Sequence, residues 1–377
     1  MKNAAVMAVL LISFLPQNAA ASKKPHEAII GYIFAGHEGP VDGNTIAAKK
    51  MTRINYAFFG LQGGLVTSRS ANDQANLATL VALKKLNPNL EVVVSVGGGG
   101  EGSVGFSDMA ITPEGRRNFV ESAVTVIDRY HLDGIDIDWE YPGYTHATTT
   151  VRPEDKQTYT LLLKELRERL DKEGARLGRH LITSSATGAT PIWLEHTNMR
   201  EASKYLDTVN MMCYDWYNPV EKNTGHDSPL YTNPADPKAI SIDQAVKMNL
   251  AAGVPARKIV IGVPFYGRKW MGVYSTNNGL FQPIPSTAAP QEELAFSDIA
   301  PLINAQGYIR YWDPVSQTSY LYNAETKTFI TYNDAETEIA RTKYVRAHHL
   351  GGIMFWQYSH DPDNVLLNAI DQGFGVN

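Results

Sequence analysis

Short β-branched runs, each followed by a longer amphipathic segment, recur along this chain, and that alternation is what a parallel sheet flanked by helices requires. Eight such runs can be read: Ala28 to Ile33, Arg53 to Phe58, Glu91 to Val96, Gly134 to Trp139, Leu181 to Thr187, Thr208 to Tyr214, Ile259 to Pro264 and Gly351 to Trp356. Between them, stretches such as Asp73 to Leu86, Arg116 to Tyr130, Arg152 to Glu173 and Ile242 to Ala252 carry apolar residues at three-to-four spacing. Eight strands with intervening helices predict an α/β fold, a (β/α)8 TIM barrel, whose chemistry sits at the C-terminal ends of its strands. The seventh and eighth runs are separated by far more chain than one helix needs. That gap is rich in Tyr, Thr, Asn, Gln and Pro, so residues 269–332 are read as a small α+β subdomain inserted between strands 7 and 8. Helices at Ala335 to His348 and about Asp363 to Asp371 complete the chain.

The N-terminus sets limits of its own. Met1-Lys2-Asn3, the apolar stretch Ala4 to Leu15 and the small residues Ala19-Ala20-Ala21 follow the order of a secretory signal peptide, so residues 1–21 are set apart from the barrel at 22–377. The apolar run is shorter than the roughly 20 residues that span a bilayer, so the mature protein is expected to be secreted, to the periplasm or the medium, with no membrane attachment. By length alone the remainder fits two ordinary domains or one barrel carrying an insertion. With 39 acidic against 34 basic residues the chain has no positive field for nucleic acid, and a neutral or weakly charged partner suits it better. Cys213 is the only cysteine, which excludes an intrachain disulfide, and no Cys/His cluster has zinc spacing, so neither metal nor other cofactor is implied.

The segment Asp133-Gly134-Ile135-Asp136-Ile137-Asp138-Trp139-Glu140 says most about chemistry. Strand side chains alternate between faces, so Asp136, Asp138 and Glu140 point one way and Ile135, Ile137 and Trp139 the other. Three carboxyls facing one barrel interior cannot all ionise; at least one pKa must rise, which is how a general acid is made at neutral pH. A calcium loop is a poor fit, because Tyr141 lacks the glycine's turn-forming freedom and the alternating isoleucines suit a strand. A solvated acidic face is a poor fit too, because barrel strands are covered on both sides.

Asp133-x-x-Asp136-x-Asp138-x-Glu140, followed by Tyr141-Pro142, resembles the fourth-strand signature of glycoside hydrolase family 18. Ser95-Val96-Gly97-Gly98, Met212-Cys213-Tyr214-Asp215, Gly262 to Arg268 and Gly352 to Trp356 resemble that family's motifs on strands three, six, seven and eight, so the likeness covers the mature chain. It implies a chitinase of the bacterial type with the insertion, cutting β-1,4 bonds of chitin and chitooligosaccharides as a monomer. Retention is then substrate-assisted, an exception to the two-carboxylate rule. Glu140 is implied as acid and base, Asp138 as the group that turns to the acetamido N–H and stabilises the oxazolinium ion, and Asp136 as sharing a proton with Asp138. Tyr214 is implied to hold the acetamido carbonyl. The sugar-binding set implied is Tyr32, Phe58, Gly98, Met212, Asp215, Trp216, Tyr266, Arg268 and Trp356, with Trp356 as the floor; an aromatic at a strand end is otherwise ordinary core. Strand alternation turns Cys213 away from the site as a packing thiol and places Asp133 off the inward face, and Ser95 is expected to support Asp136 by hydrogen bonding.

One position departs from the pattern. Many members carry an aromatic residue after Ser-x-Gly-Gly, where this chain has Gly99-Gly100, which weakens stacking on the leaving side. Trp216 and Tyr217 are placed either to compensate or to pack against Pro219. Two rivals share the barrel: an endo-N-acetylglucosaminidase acting on N-glycans, and a non-catalytic chitin-binding lectin, which typically lacks the acid found at Glu140.

Overall fold

The computed structural model describes residues 27–35, 39–144, 150–286 and 291–375; the segment 1–21, expected from the sequence to be a signal peptide, lies outside them. Eight parallel strands form the barrel: β1 (Ala28–Phe34), β2 (Arg53–Gln62), β3 (Glu91–Gly97), β4 (Gly134–Asp138), β5 (Ile182–Gly188), β6 (Thr208–Met212), β7 (Ile259–Pro264) and β8 (Gly352–Trp356). Each pairs in parallel with the next, and β8 pairs with β1, so no edge is left open. All eight predicted runs are strands, displaced by no more than a residue or two at most ends.

The strands alternate as a covered barrel demands. In β4, Ile135 and Ile137 pack outward into the helix layer while Asp136 and Asp138 turn inward. Trp139, beyond the strand end, stacks on Phe106 at 5.4 Å between ring centroids. In β5 the inward residues are small: Ser184 meets Asp136, and Ala186 and Gly188 line the barrel mouth. A strand of this composition is a poor packer by itself, and what it provides is room above the acids.

The outer helices are stopped and started by ordinary signals. Thr112 caps the helix Pro113–Tyr130 by accepting from the Gly115 amide, and Pro113 sits where its missing N–H costs nothing. Ser241 and Asp334 cap Ile242–Ala251 and Ala335–Ala347 in the same way. Leaving β7, the chain turns at Phe265 directly into a five-stranded antiparallel sheet. That sheet is built from Tyr266–Trp270, Glu292–Ala295, Tyr308–Asp313, Thr318–Asn323 and Thr328–Thr331. The insertion therefore begins three residues before the expected 269, because the seventh-strand motif itself supplies an inner strand of the sheet, between Glu292–Ala295 and Thr328–Thr331.

A buried ion pair within the helix Ala335–Ala347 holds the arginine that anchors this helix to Ser228 and Asn333. Arg341 and Glu338 are both fully buried and meet at 2.6 Å. Arg341 also donates to Asn333 Oδ1 at 2.9 Å, to Ser228 Oγ at 3.0 Å and to the Ser228 carbonyl. Removing one partner of such a pair strands the other charge, so Arg341→Met is expected to lower unfolding stability by about 3–5 kcal/mol. Adding Glu338→Gln should recover part of that loss in a denaturant-unfolding cycle that includes both single variants; single losses that simply add up to the double loss would show that the pair is not coupled.

Candidate active site

The C-terminal ends of the strands open into a cavity of about 510 Å³ that holds Asp138, Glu140, Met212, Tyr214, Asp215 and Trp356. Asp136 lies below it and is fully buried. Its Oδ2 accepts from Tyr32 at 2.9 Å and Ser95 at 2.8 Å, and its Oδ1 from Ser184 at 2.6 Å and Asn210 at 3.3 Å. Burial raises its pKa, a rise that Ser184, Ser95, Tyr32 and the Arg53 charge offset only in part. Four donors converging on one carboxylate favour its ionised form.

Asp138 is the opposite case. Its side chain is buried, Oδ1 has no hydrogen-bond partner, and its pKa is raised well above the ordinary range by burial and then by Glu140 and Asp136. Of the two aspartates, Asp138 therefore carries the proton. Glu140 stands beyond the end of β4, where its amide donates to Ser103 Oγ at 2.7 Å. Its carboxyl is pushed up to about 7, mainly by burial; a hydrogen bond from Tyr141 opposes the rise and the Asp215 charge adds to it. An acid poised there is protonated for a useful fraction of the time at neutral pH.

The glycines of the third-strand motif are required by close packing. A Cβ on Gly97 would lie 2.0 Å from the Asp138 carbonyl, and one on Gly98 would lie 2.8 Å from the Phe58 ring, both at positive φ. Gly98 itself donates to the Asp138 carbonyl at 2.8 Å and borders a second hollow, of about 390 Å³, behind Phe58 and Trp356. Trp356 stacks on Phe58 at 5.4 Å and 20°, with Tyr32 at 6.0 Å, so an aromatic floor lies beside the carboxyls. Tyr214 is a protonated donor, its pKa raised well above 10.0 by burial and then by the Asp138, Asp215 and Glu140 charges.

Tyr266 and Arg268 sit behind Asp215 and outside the cavity lining. Both are buried, the Tyr266 hydroxyl donates to Asp215 Oδ1 at 2.6 Å, and Arg268 pairs with the same oxygen. Trp216 lines the cavity although it is 5% exposed. Tyr217 turns away into the subdomain core and donates to Asp236. Cys213 is buried among core residues, its thiol pushed up to about 12, and Asp133 lies at the other end of β4, accepting from the Val92 amide and paired with Arg179. Sequence reasoning passed over Ser184 and Asn210. Asn210 had a signal, since it lies two and four residues before Met212 and Tyr214 on the same face; Ser184 becomes visible only once β5 is set beside β4. Among the described residues no group of three or more His, Cys, Asp or Glu side chains is arranged to hold a metal ion, and no helix is long and apolar enough to cross a membrane.

The profile of glycosyl hydrolases family 18 matches residues 28–361. Chitinase A1 of Niallia circulans is 40% identical over 309 residues, covering 78% of this chain and 44% of its own length. Among solved structures, a glycoside hydrolase family 18 N-acetylglucosaminidase from Paenibacillus barengoltzii superimposes with a TM-score of 0.84 at 38% identity, over 92% of this chain and 99% of that one. Chitinase ChiW from Paenibacillus sp. FPU-7 superimposes with a TM-score of 0.86 at 37% identity, covering 92% of this chain and 32% of that one.

Proposed function

This chain belongs to glycosyl hydrolase family 18, and from that premise we propose that it is a chitinase acting on β-1,4-linked N-acetylglucosamine chains by a retaining, substrate-assisted mechanism. The observation that carries the reading is the unequal state of the cavity's carboxyls. Asp138 is neutral, and Asp215 is held by Tyr266 and Arg268, so neither is a free nucleophile. Glu140 alone is poised to give up a proton near neutrality.

With no carboxylate free to attack the anomeric carbon, the sugar's own acetamido oxygen serves, while Glu140 protonates the departing glycosidic oxygen. Asp138 turns toward the acetamido N–H and becomes the counter-charge of the oxazolinium ion, and the proton it gives up is taken on the Asp136 side of the pair. Tyr214 donates to the acetamido oxygen and holds it in line. A dry, preformed arrangement of this kind makes each of these charges count for more than it would in water. Water then opens the ring with Glu140 as base. The aromatic floor of Trp356 and Phe58 supports the sugar ring at the cut.

A time course on N-acetylglucosamine hexamer, with products resolved by length and anomer, tests this. Short oligomers released as the β-anomer are the expected result. Release of monosaccharide alone would favour the activity named for the Paenibacillus barengoltzii neighbour, and α-anomer products would overturn the retaining mechanism.

A further inference from the structure

The loop between β6 and the helix Ile242–Ala251 carries two buried acids that the mechanism does not use, and whereas Asp236 accepts from Tyr217, Asp227 is poorly partnered. Asp227 is 2% exposed, and neither of its carboxyl oxygens makes a hydrogen bond of good geometry. Its nearest cation is Arg268, whose Nε stands 3.5 Å from Oδ1 and makes no other bond. The rest of that guanidinium is engaged elsewhere: one terminal nitrogen serves both Asp215 and Glu293, the latter at 3.3 Å, and the other reaches Gln291 at 3.4 Å. One cation thus faces three carboxyls. Asp215 and Glu293 have side chains about half exposed and can stay charged in contact with water, whereas Asp227 cannot. His226, the next residue, is turned away to Asp313 at 3.1 Å, and the remaining titratable neighbour is the Tyr266 hydroxyl, already committed to Asp215. The Asp215 backbone N–H also faces the Asp227 carboxyl and favours its anion, but no second cation stands beside it.

We propose that Asp227 is a positioning residue of the hydrolytic site, which governs through Arg268 how firmly Asp215 is held at the cavity wall. The proposal rests on the hydrolytic reading above. While neutral, Asp227 leaves the guanidinium to Asp215 and Glu293, and Asp215 stays fixed between Arg268 and Tyr266. Once ionised, Asp227 competes for the guanidinium across the 3.5 Å gap, and Asp215 loses its hold. Burial, then the Asp215 charge, pushes the Asp227 carboxyl up to about 8, against the pull of Arg268. Its neutral form therefore prevails at working pH and is lost on the alkaline side.

The test is the alkaline limb of kcat/KM on N-acetylglucosamine hexamer for the wild-type enzyme and Asp227→Asn. Loss of the Glu140 proton alone lowers log kcat/KM by about one per pH unit. Above about pH 8 the wild-type limb is expected to be steeper than that, with the added loss in KM, and Asp227→Asn should restore the one-proton slope. Glu293→Gln provides a second measurement that leaves Asp227 in place. It removes a charge that raises the Asp227 pKa, so the second break should move to lower pH. A one-proton limb in active wild-type enzyme, superimposable limbs for wild type and Asp227→Asn, or an unmoved break in Glu293→Gln overturns the role of Asp227 and leaves the hydrolytic reading intact. Wild-type enzyme that cleaves no hexamer at any pH removes both.

Discussion

Glu140→Gln is expected to lower kcat on N-acetylglucosamine hexamer by roughly 10²- to 10⁴-fold, the range typical of losing a positioned general acid, while leaving the hexamer's Kd within a few-fold. The substitution keeps the side chain's size and its capacity to bond Tyr141 and removes only the transferable proton. The wild-type carboxyl stands at about 7 because burial outweighs the Tyr141 hydrogen bond. Its protonated fraction therefore falls as pH rises, and kcat/KM of the wild-type enzyme should decline above about pH 7. The residual rate of Glu140→Gln should lack that decline, since no group of this pKa remains at the position. Calorimetric binding beside the pH profile separates the possible results. Lost binding would mean that the variant had damaged the cavity, and near-normal turnover would mean that Glu140 is not the acid.

The barrel was legible because its strands are buried on both faces and so stand out as continuous β-branched runs. Glu91-Val92-Val93-Val94-Ser95-Val96 needs no structure to be read as a strand. The ends were less legible. The fourth run reads on to Trp139, but the strand stops at Asp138 because the Glu140 amide is drawn to Ser103, a residue 37 positions earlier. The same limit applies to the site. Alternation alone brings Asp136 and Asp138 to one face, since both belong to a single strand. The groups that fix their charge states come from other strands: Tyr32 from β1, Ser95 from β3, Ser184 from β5 and Asn210 from β6. Which of two neighbouring aspartates holds the proton depends on register between strands, and no spacing within β4 encodes it. Loop aromatics were the least legible. Trp216 and Tyr217 are adjacent in sequence, yet one lines the cavity and the other is consumed by Asp236 and the subdomain core.

Asp138→Asn is expected to slow the enzyme and stabilise the fold together. In the resting site Asp138 is neutral, buried, and bare at Oδ1. Asparagine is a close copy of that neutral form, so the resting cavity should be preserved. The copy fails in the proposed reaction, where Asp138 must become an anion beside the oxazolinium ion and hand its proton toward Asp136. Losing a preorganised charge of this kind costs on the order of 10²- to 10³-fold in kcat, with a much smaller change in KM. The stability effect has the opposite sign. A carboxyl whose pKa in the folded state lies above its ordinary 3.8 favours folding fully only below that ordinary value, and the contribution is lost as pH rises toward the folded-state pKa. Asparagine has nothing to ionise and escapes that loss. The unfolding midpoint of Asp138→Asn should therefore gain on that of the wild type as pH is raised from about 4 toward 8. A variant that is both slower and less stable at every pH would point to disrupted packing, and would remove the neutral resting state assigned to Asp138.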